Sequence, residues 1–409
     1  MSLLRVLAAV VSAGAVSTVL VAGVGSAEPT PGGCPVLWVL GVQGTGQSSP
    51  TASATADTGM LGQLLGPVSA AVPHLVRHTY VPYPASFGGA WGTNGGPDPY
   101  AESVGDGLAA LNATADRIGV DCPSTALAVV GYSQGAHVVS QFARTVGTGG
   151  GPVAPDQVAA VALYSDPTRA AGSPVIPGRP GQSTPDPAPG TSGAAVASVA
   201  ITTAAPAGGG IAAGEGVDYG ALTGRVADIC VDGDLSCAAP DNAALLRVAA
   251  GIAAQADLRD PLAALGSIQA LLGGVLGDAW TTVVNTDFAV GPGVVDYAPA
   301  ASLASRLTDA ADPSIAPPSP AETAAANSRW AQITATVTAD PVSQLPKLAG
   351  QLSDAVGRLL AENTDMTNPA VWLRYANLVA AHTGYAAAGQ LATGVAWLTA
   401  LAHDLAGSQ

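Results

Sequence analysis

One pentapeptide limits what this 409-residue chain can fold into. Gly131-Tyr132-Ser133-Gln134-Gly135 follows the apolar run Ala126–Val130 and precedes Ala136-His137-Val138-Val139. The natural reading is strand, tight turn, helix, the setting a G-x-S-x-G elbow requires. Two glycines let the backbone turn sharply and leave Ser133 exposed at the carboxyl end of a strand. The helix that follows points its first N–H groups at any anion forming beside the serine.

Short apolar runs before and after the pentapeptide extend this pattern. Pro35–Leu40, His78–Tyr83, Val158–Tyr164 and Arg225–Cys230 read as further strands. Helical spacing appears from Gly59 and again at Val104, Leu108, Leu111, Ala115 and Ile118. Strands alternating with helices predict a parallel sheet covered on both faces, a three-layer α/β sandwich. Residues 172–220 are rich in Pro, Gly, Ala, Ser and Thr and read as an irregular insertion or ordered loop. From 241 to 378 the pattern turns helical, with apolar stripes at Leu262, Leu265, Ile268, Leu271 and Leu272 and at Leu345, Leu348, Leu352, Val356 and Leu359. This segment is expected to form an insertion that covers the serine as a lid, its surplus apolar surface lining a cleft. The last helix lies in 386–406. The core is therefore expected from 28–240 and 379–409.

Met1 to Ala27 carries one basic residue, an apolar stretch and a small-residue end at Gly25-Ser26-Ala27. It reads as a secretory signal peptide, which predicts a secreted or cell-envelope protein. No later segment reads as an uninterrupted apolar span of membrane length. The net charge of −15 argues against nucleic acid and anionic lipid as partners. Peripheral contact with lipid or cell envelope stays open, and a monomer is expected. Four cysteines in an exported chain imply two disulfides, out of three possible pairings. The short spacing of Cys230 and Cys237 suits a local bridge, which leaves Cys34 with Cys122. No Cys/His cluster suggests a metal, and no cofactor is implied.

A serine hydroxyl needs a base to become a nucleophile, and the base needs a carboxylate. Of the five histidines, His74 and His78 flank a strand start and His403 sits beside Asp404 near the end of the chain. His137, one turn beyond the elbow, is expected to point away from Ser133. His382 precedes Gly384 in an expected loop before the last helix, the slot that follows serine and acid in chain order. For the acid, Asp234 and Asp232 lie in the loop between Cys230 and Cys237, and Asp166 follows the strand after the elbow. Asp166 pairing with Arg169 is the alternative to a role in the site.

These residues resemble the cutinases, in particular the enlarged actinobacterial cutinase-like esterases. The resemblance rests on Gly131–Gly135, on Cys122-Pro123, on Gly233-Asp234-Leu235 between Cys230 and Cys237, on His382–Tyr385, and on Val42–Gly46 as an oxyanion loop. It covers roughly 34–170, 222–240 and 380–406, and departs where an alanine-arginine pair is usual before Gly44-Thr45. It implies an α/β-hydrolase core and a triad of Ser133, Asp234 and His382, with Thr45 and the backbone N–H of Gln134 as oxyanion hole. The implied activity is a secreted serine esterase or lipase acting on small-molecule, lipid or polyester esters with apolar acyl chains. An acyltransferase to a sugar or lipid alcohol on the same triad is the alternative, and a non-catalytic wall-binding protein a third. In small cutinases acid and histidine are close in sequence; here the whole of 241–378 separates them.

Overall fold

The computed structural model describes residues 33–203, 206–212 and 218–408. The expected signal peptide, 1–27, lies outside them. Five strands, β1 (Leu37–Val42), β2 (Val76–Tyr80), β3 (Ala126–Tyr132), β4 (Val158–Tyr164) and β5 (Val226–Ile229), form one parallel sheet in the order β2-β1-β3-β4-β5. β2 stops earlier than the sequence suggests. Pro82 has no N–H to give to a ladder.

β1, β3 and β4 read as continuous apolar runs because both faces are covered. Leu37 and Val39 of β1, Val130 and Tyr132 of β3 and Tyr164 of β4 face one layer. That layer is made by α1 (Gly59–Ala71) and the C-terminal helix, here α11 (Gln390–Gly407), through Leu61, Leu64, Trp397 and Leu401. Leu40, Val129, Val161 and Leu163 face the opposite layer, made by α2 (Tyr100–Asp121) and α3 (Gln134–Gly147) through Leu111, Ile118, Val138 and Phe142. The 172–220 segment, where described, is an ordered loop with two 3-10 turns. It buries Ile176, Val196 and Ile201 against the α1/α11 layer. Asp404 of α11 holds it by accepting the N–H groups of Ala195 and Val196.

Bridges Cys34–Cys122 and Cys230–Cys237 are both formed. The first ties the start of β1 to the end of α2. The second closes the loop after β5.

Between that loop and α11 lies a second layer of helices: α4 (Ala244–Gln255), α5 (Pro261–Thr286), α6 (Leu303–Ala311), α7 (Pro320–Ala339), α8 (Pro341–Ala361) and the short α9 (Pro369–Leu373) and α10 (Leu378–Thr383). Its own core gathers Val284, Phe288, Tyr297, Ile333 and Leu348. Two features depart from the sequence reading. Phe288–Gly291 and Val294–Tyr297 form an antiparallel hairpin, β6 and β7, around Pro292-Gly293. The signal was present as a turn dipeptide between β-branched and aromatic residues. Secondly, α5 is long and apolar enough by length and composition to cross a membrane, with mean hydropathy 1.4. Its glycines, Gln269 and Asp278 break up the run and hid that length in the sequence.

Candidate active site

The chain turns from β3 into α3 at Ser133, whose φ of 55° and ψ of −121° lie off the common basins. A residue with a Cβ does not hold this conformation freely, so the surroundings must impose it. Ser133 N–H donates to Tyr164 O at 2.8 Å, pinning the turn to the end of β4. Neither flanking glycine can be replaced. A Cβ on Gly135 would stand 2.0 Å from Val42 O, and one on Gly131 would stand 2.5 Å from Gly135 O.

Ser133 Oγ lies 3.0 Å from His382 Nε2, and His382 Nδ1 lies 2.9 Å from Asp234 Oδ1. His382 is not in an open loop. It lies in the last turn of the short helix α10, and Gly384 follows as the cap. Tyr132 Oη holds that end by donating to His382 O at 2.8 Å.

Asp234 is fully buried. Its Oδ2 accepts from Tyr385 Oη at 2.8 Å, and its Oδ1 accepts the Ser236 N–H at 3.1 Å. Ser165, at the end of β4 with φ 60°, sits 3.0 Å from His382 Nδ1 and hydrogen-bonds Asp234. Burial is the largest influence on Asp234 and raises its pKa. The charge of His382 and the hydrogen bonds from His382, Ser165 and Tyr385 outweigh it, and the net shift is down. Burial likewise lowers the His382 pKa, while the charge and hydrogen bond of Asp234 turn the net shift upward. The pair is therefore stabilised in its charged form. Neither Ser165 nor Tyr385 was assigned a role from sequence. Their signal is positional: one ends the strand beside the elbow, the other sits three residues past His382.

The other carboxylates are engaged elsewhere. Asp232 pairs with Arg374. Asp166 accepts the N–H and the hydroxyl of Thr168. Its pairing with Arg169, the alternative to a role in the site, is not what the structure shows: the Arg169 guanidinium donates to the carbonyls of Gly208 and Ser173. Of the remaining histidines, His74 and His403 are exposed, and His78 bonds Ser69 and Asp57.

Thr45 and Gln134 also meet. Thr45 Oγ1 donates to Gln134 Oε1 at 3.2 Å, and Gln134 Nε2 donates to Ser86 O at 3.0 Å. Gln134 opens α3, so its backbone N–H is one of the helix's N-terminal donors without an intrahelical acceptor. The loop before it keeps its shape through Gln43, which donates to Thr58 O and accepts the Leu61 N–H.

Ser133 and His382 open into a cavity of about 1070 Å³. Part of its wall belongs to the helical insertion: Arg247, Ala250, Ala253 and Ala254 of α4, Ala311 at the end of α6 and Pro313 after it. The apolar stripes of α5 and α8 do not reach it. Small side chains leave the space, where the sequence suggested leucines would line it. His137, expected to face away from the serine, lines the same cavity one helical turn further along α3. Among the described residues no cluster of His, Cys, Asp and Glu is arranged for a metal ion.

A model of the Cutinase family matches residues 34–247, which include Ser133 and Asp234 but not His382. The curated "Carboxylesterase Culp6 homolog" of Corynebacterium glutamicum is 29% identical over 233 residues, 54% of this chain and 71% of its own length. Solved structures with a similar fold include the catalytic core domain of acetyl xylan esterase from Trichoderma reesei. It has 20% identity and a TM-score of 0.35, over 58% of this chain and 99% of that one. A cutinase-like protein from Cryptococcus sp. has 16% identity and a TM-score of 0.32, over 50% and 80%. With a family match over more than half of its length, the chain belongs to the cutinase family of carboxylic ester hydrolases.

Proposed function

We propose that this protein is a secreted serine esterase that cleaves esters with apolar acyl chains through Ser133, His382 and Asp234. The observation that carries the reading is the hydrogen-bonded chain from Ser133 Oγ to His382 to Asp234, at 3.0 and 2.9 Å, at the edge of a large cavity. His382 Nε2 takes the Ser133 proton as Oγ attacks the ester carbonyl. The buried Asp234 stabilises the imidazolium that forms. The backbone N–H of Gln134 receives the negative charge on the carbonyl oxygen, joined by the Thr45 hydroxyl once it turns from Gln134 Oε1 to the new oxyanion. His382 then gives its proton to the leaving alcohol, and water clears the acyl-enzyme by the same route. Two disulfides suit an oxidising compartment, and the leader read in residues 1–27 suits export.

The insertion acts as the lid of this site, since α4 and the segment after α6 form the wall facing Ser133. A cavity of this size also has room for an acceptor alcohol beside the acyl chain, which supports acyl transfer as a second reading. A series of p-nitrophenyl esters of increasing chain length, assayed with and without an added alcohol, tests both. Hydrolysis that depends on Ser133 is the expected result. Transesterified product exceeding free acid would favour transfer. No turnover of any ester would remove the reading.

A further inference from the structure

The cavity is lined by polar as well as apolar side chains. Along α3, His137 one turn and Gln141 two turns beyond Ser133 meet Tyr100 of α2 on the cavity surface. Their hydrogen bonds run in one direction. Gln141 Nε2 lies 3.1 Å from His137 Nε2, and His137 Nδ1 lies 3.1 Å from Tyr100 Oη. Burial is the largest influence on His137 and pushes it down to about 4. Arg144 adds to this, against the opposing pull of Asp166 and Asp312. A neutral imidazole that accepts the Gln141 amide proton at Nε2 must carry its own proton at Nδ1. It donates that proton to Tyr100 Oη. Tyr100 therefore keeps its hydroxyl proton, and among the described residues no other partner takes it. The insertion supplies polar groups to the same cavity: Thr308, Asp312 and Ser314. Asp312 accepts the N–H and hydroxyl of Ser314 through Oδ1, which leaves Oδ2 for another donor.

We propose that this part of the cavity is a recognition site for a polyhydroxylated alcohol, so that the preferred substrates are acyl esters of a sugar or similar polyol. The proposal rests on Ser133 being the nucleophile, and it adds the class of alcohol. Several donors and acceptors from two walls match a ring of hydroxyls. A plain alkyl alcohol would leave these groups without partners once the cavity is filled, at a cost for each. A single hydroxyl on an acyl chain would satisfy one or two and strand the rest. Tyr100 donates to the polyol, Asp312 accepts from it, and His137 acts as a positioning residue that fixes the Tyr100 proton.

The test compares kcat/KM of the full-length protein on glucose 6-octanoate, methyl octanoate and methyl 3-hydroxyoctanoate. The wild type is expected to prefer the glucose ester to methyl octanoate. In Tyr100→Phe and Asp312→Ala the ratio of the two is expected to fall about tenfold in each, the loss of one hydrogen bond. A purely structural role would lower both substrates together and leave the ratio where it was, and that result overturns the proposal. A ratio that falls only for the hydroxyacyl ester assigns the site to the acyl chain and also overturns it. A wild type inactive on all three esters defeats the esterase reading itself, and this proposal with it.

Discussion

The hydrolase core and the helical insertion use apolar residues in opposite ways. In the core, Leu37, Val39, Val129, Val130, Val161 and Leu163 are completely buried, because helices cover both faces of the central strands of the sheet. In the insertion, Leu262 is 82% and Leu345 54% exposed, although both sit on helices with regular apolar stripes. Helices stacked in one layer consume only part of each stripe. The same difference governs what each region gives to the cavity. The core contributes fixed chemistry, held by a strained elbow and a buried carboxylate. The insertion contributes space, through alanines and glycine on α4, and polar groups after α6.

The comparison breaks most severely at the elbow. Ser133→Ala should reduce ester turnover by on the order of a million-fold, as loss of a triad nucleophile does. Its melting temperature should stay close to that of the wild type, since one oxygen is removed. Retention of activity within tenfold would show that Ser133 is not the nucleophile.

Asp234→Asn should cost about four decades in kcat, with Asp166→Asn and Asp232→Asn near wild type in turnover. The pH profile carries a second signature. His382 must be neutral to accept a proton, and its pKa in the folded protein is raised above 6.5. The acid limb of kcat/KM should therefore have its midpoint above 6.5, with activity lost as pH falls through it. In Asp234→Asn burial acts on His382 without the opposing charge, so the residual activity should show this limb moved to lower pH. A limb that does not move would mean that Asp234 does not set the state of His382.

The two disulfides separate stability from catalysis. Cys34–Cys122 spans 88 residues and Cys230–Cys237 only seven. Loop-closure entropy gives roughly 4.5 kcal/mol for the first and about half of that for the second. Denaturant titration of the Cys34→Ser/Cys122→Ser pair should show the larger loss of stability. The Cys230→Ser/Cys237→Ser pair should lose more activity than stability, because its loop carries Asp234. Equal losses of activity in the two would show that the short bridge does not position the carboxylate.

The smallest effects compare leucines directly. Leu64→Ala, at a fully buried site between α1 and the sheet, should destabilise by about 2–5 kcal/mol. Leu262→Ala, on the exposed face of α5, should stay within about 0.5 kcal/mol. A loss above about 1 kcal/mol at Leu262 would mean that this face is covered in solution.

Much of the core was legible because its signals are local. Five short segments, the central ones apolar throughout, gave five strands, and the Gly-x-Ser-x-Gly turn between strand and helix marked the edge where Ser133 stands. The chemistry of a serine nucleophile then narrowed the histidines to the two that follow both serine and acid, His382 and His403, and of these His382 stands before Gly384 and the last helix. Other features depend on distant partners. Ser165 was silent in sequence, because a serine after a strand carries no signal of its own, and Tyr385 stood in the segment that resembles the cutinases without any sign that it would reach Asp234. His137 looked like a residue facing away, because its position one turn along α3 says nothing about the wall opposite. The β6–β7 hairpin was overlooked through its helical neighbours, not for want of a turn signal.

Sequence alone determined the covalent and local order of this protein: the alternation of strand and helix, the sharp turn at Ser133, and the short cysteine loop around Asp234. These follow from steric rules and hydrophobic period, which act over a few residues. Only the tertiary structure decided that Asp234 and not Asp232 lies against His382, across the whole insertion, and that Arg374 takes the other aspartate. It also decided that the insertion lines the cavity with small and polar residues while leucines of α5 and α8 stay in water. Which face of a helix is buried depends on what packs against it, and in the insertion those partners lie scores of residues away in the chain.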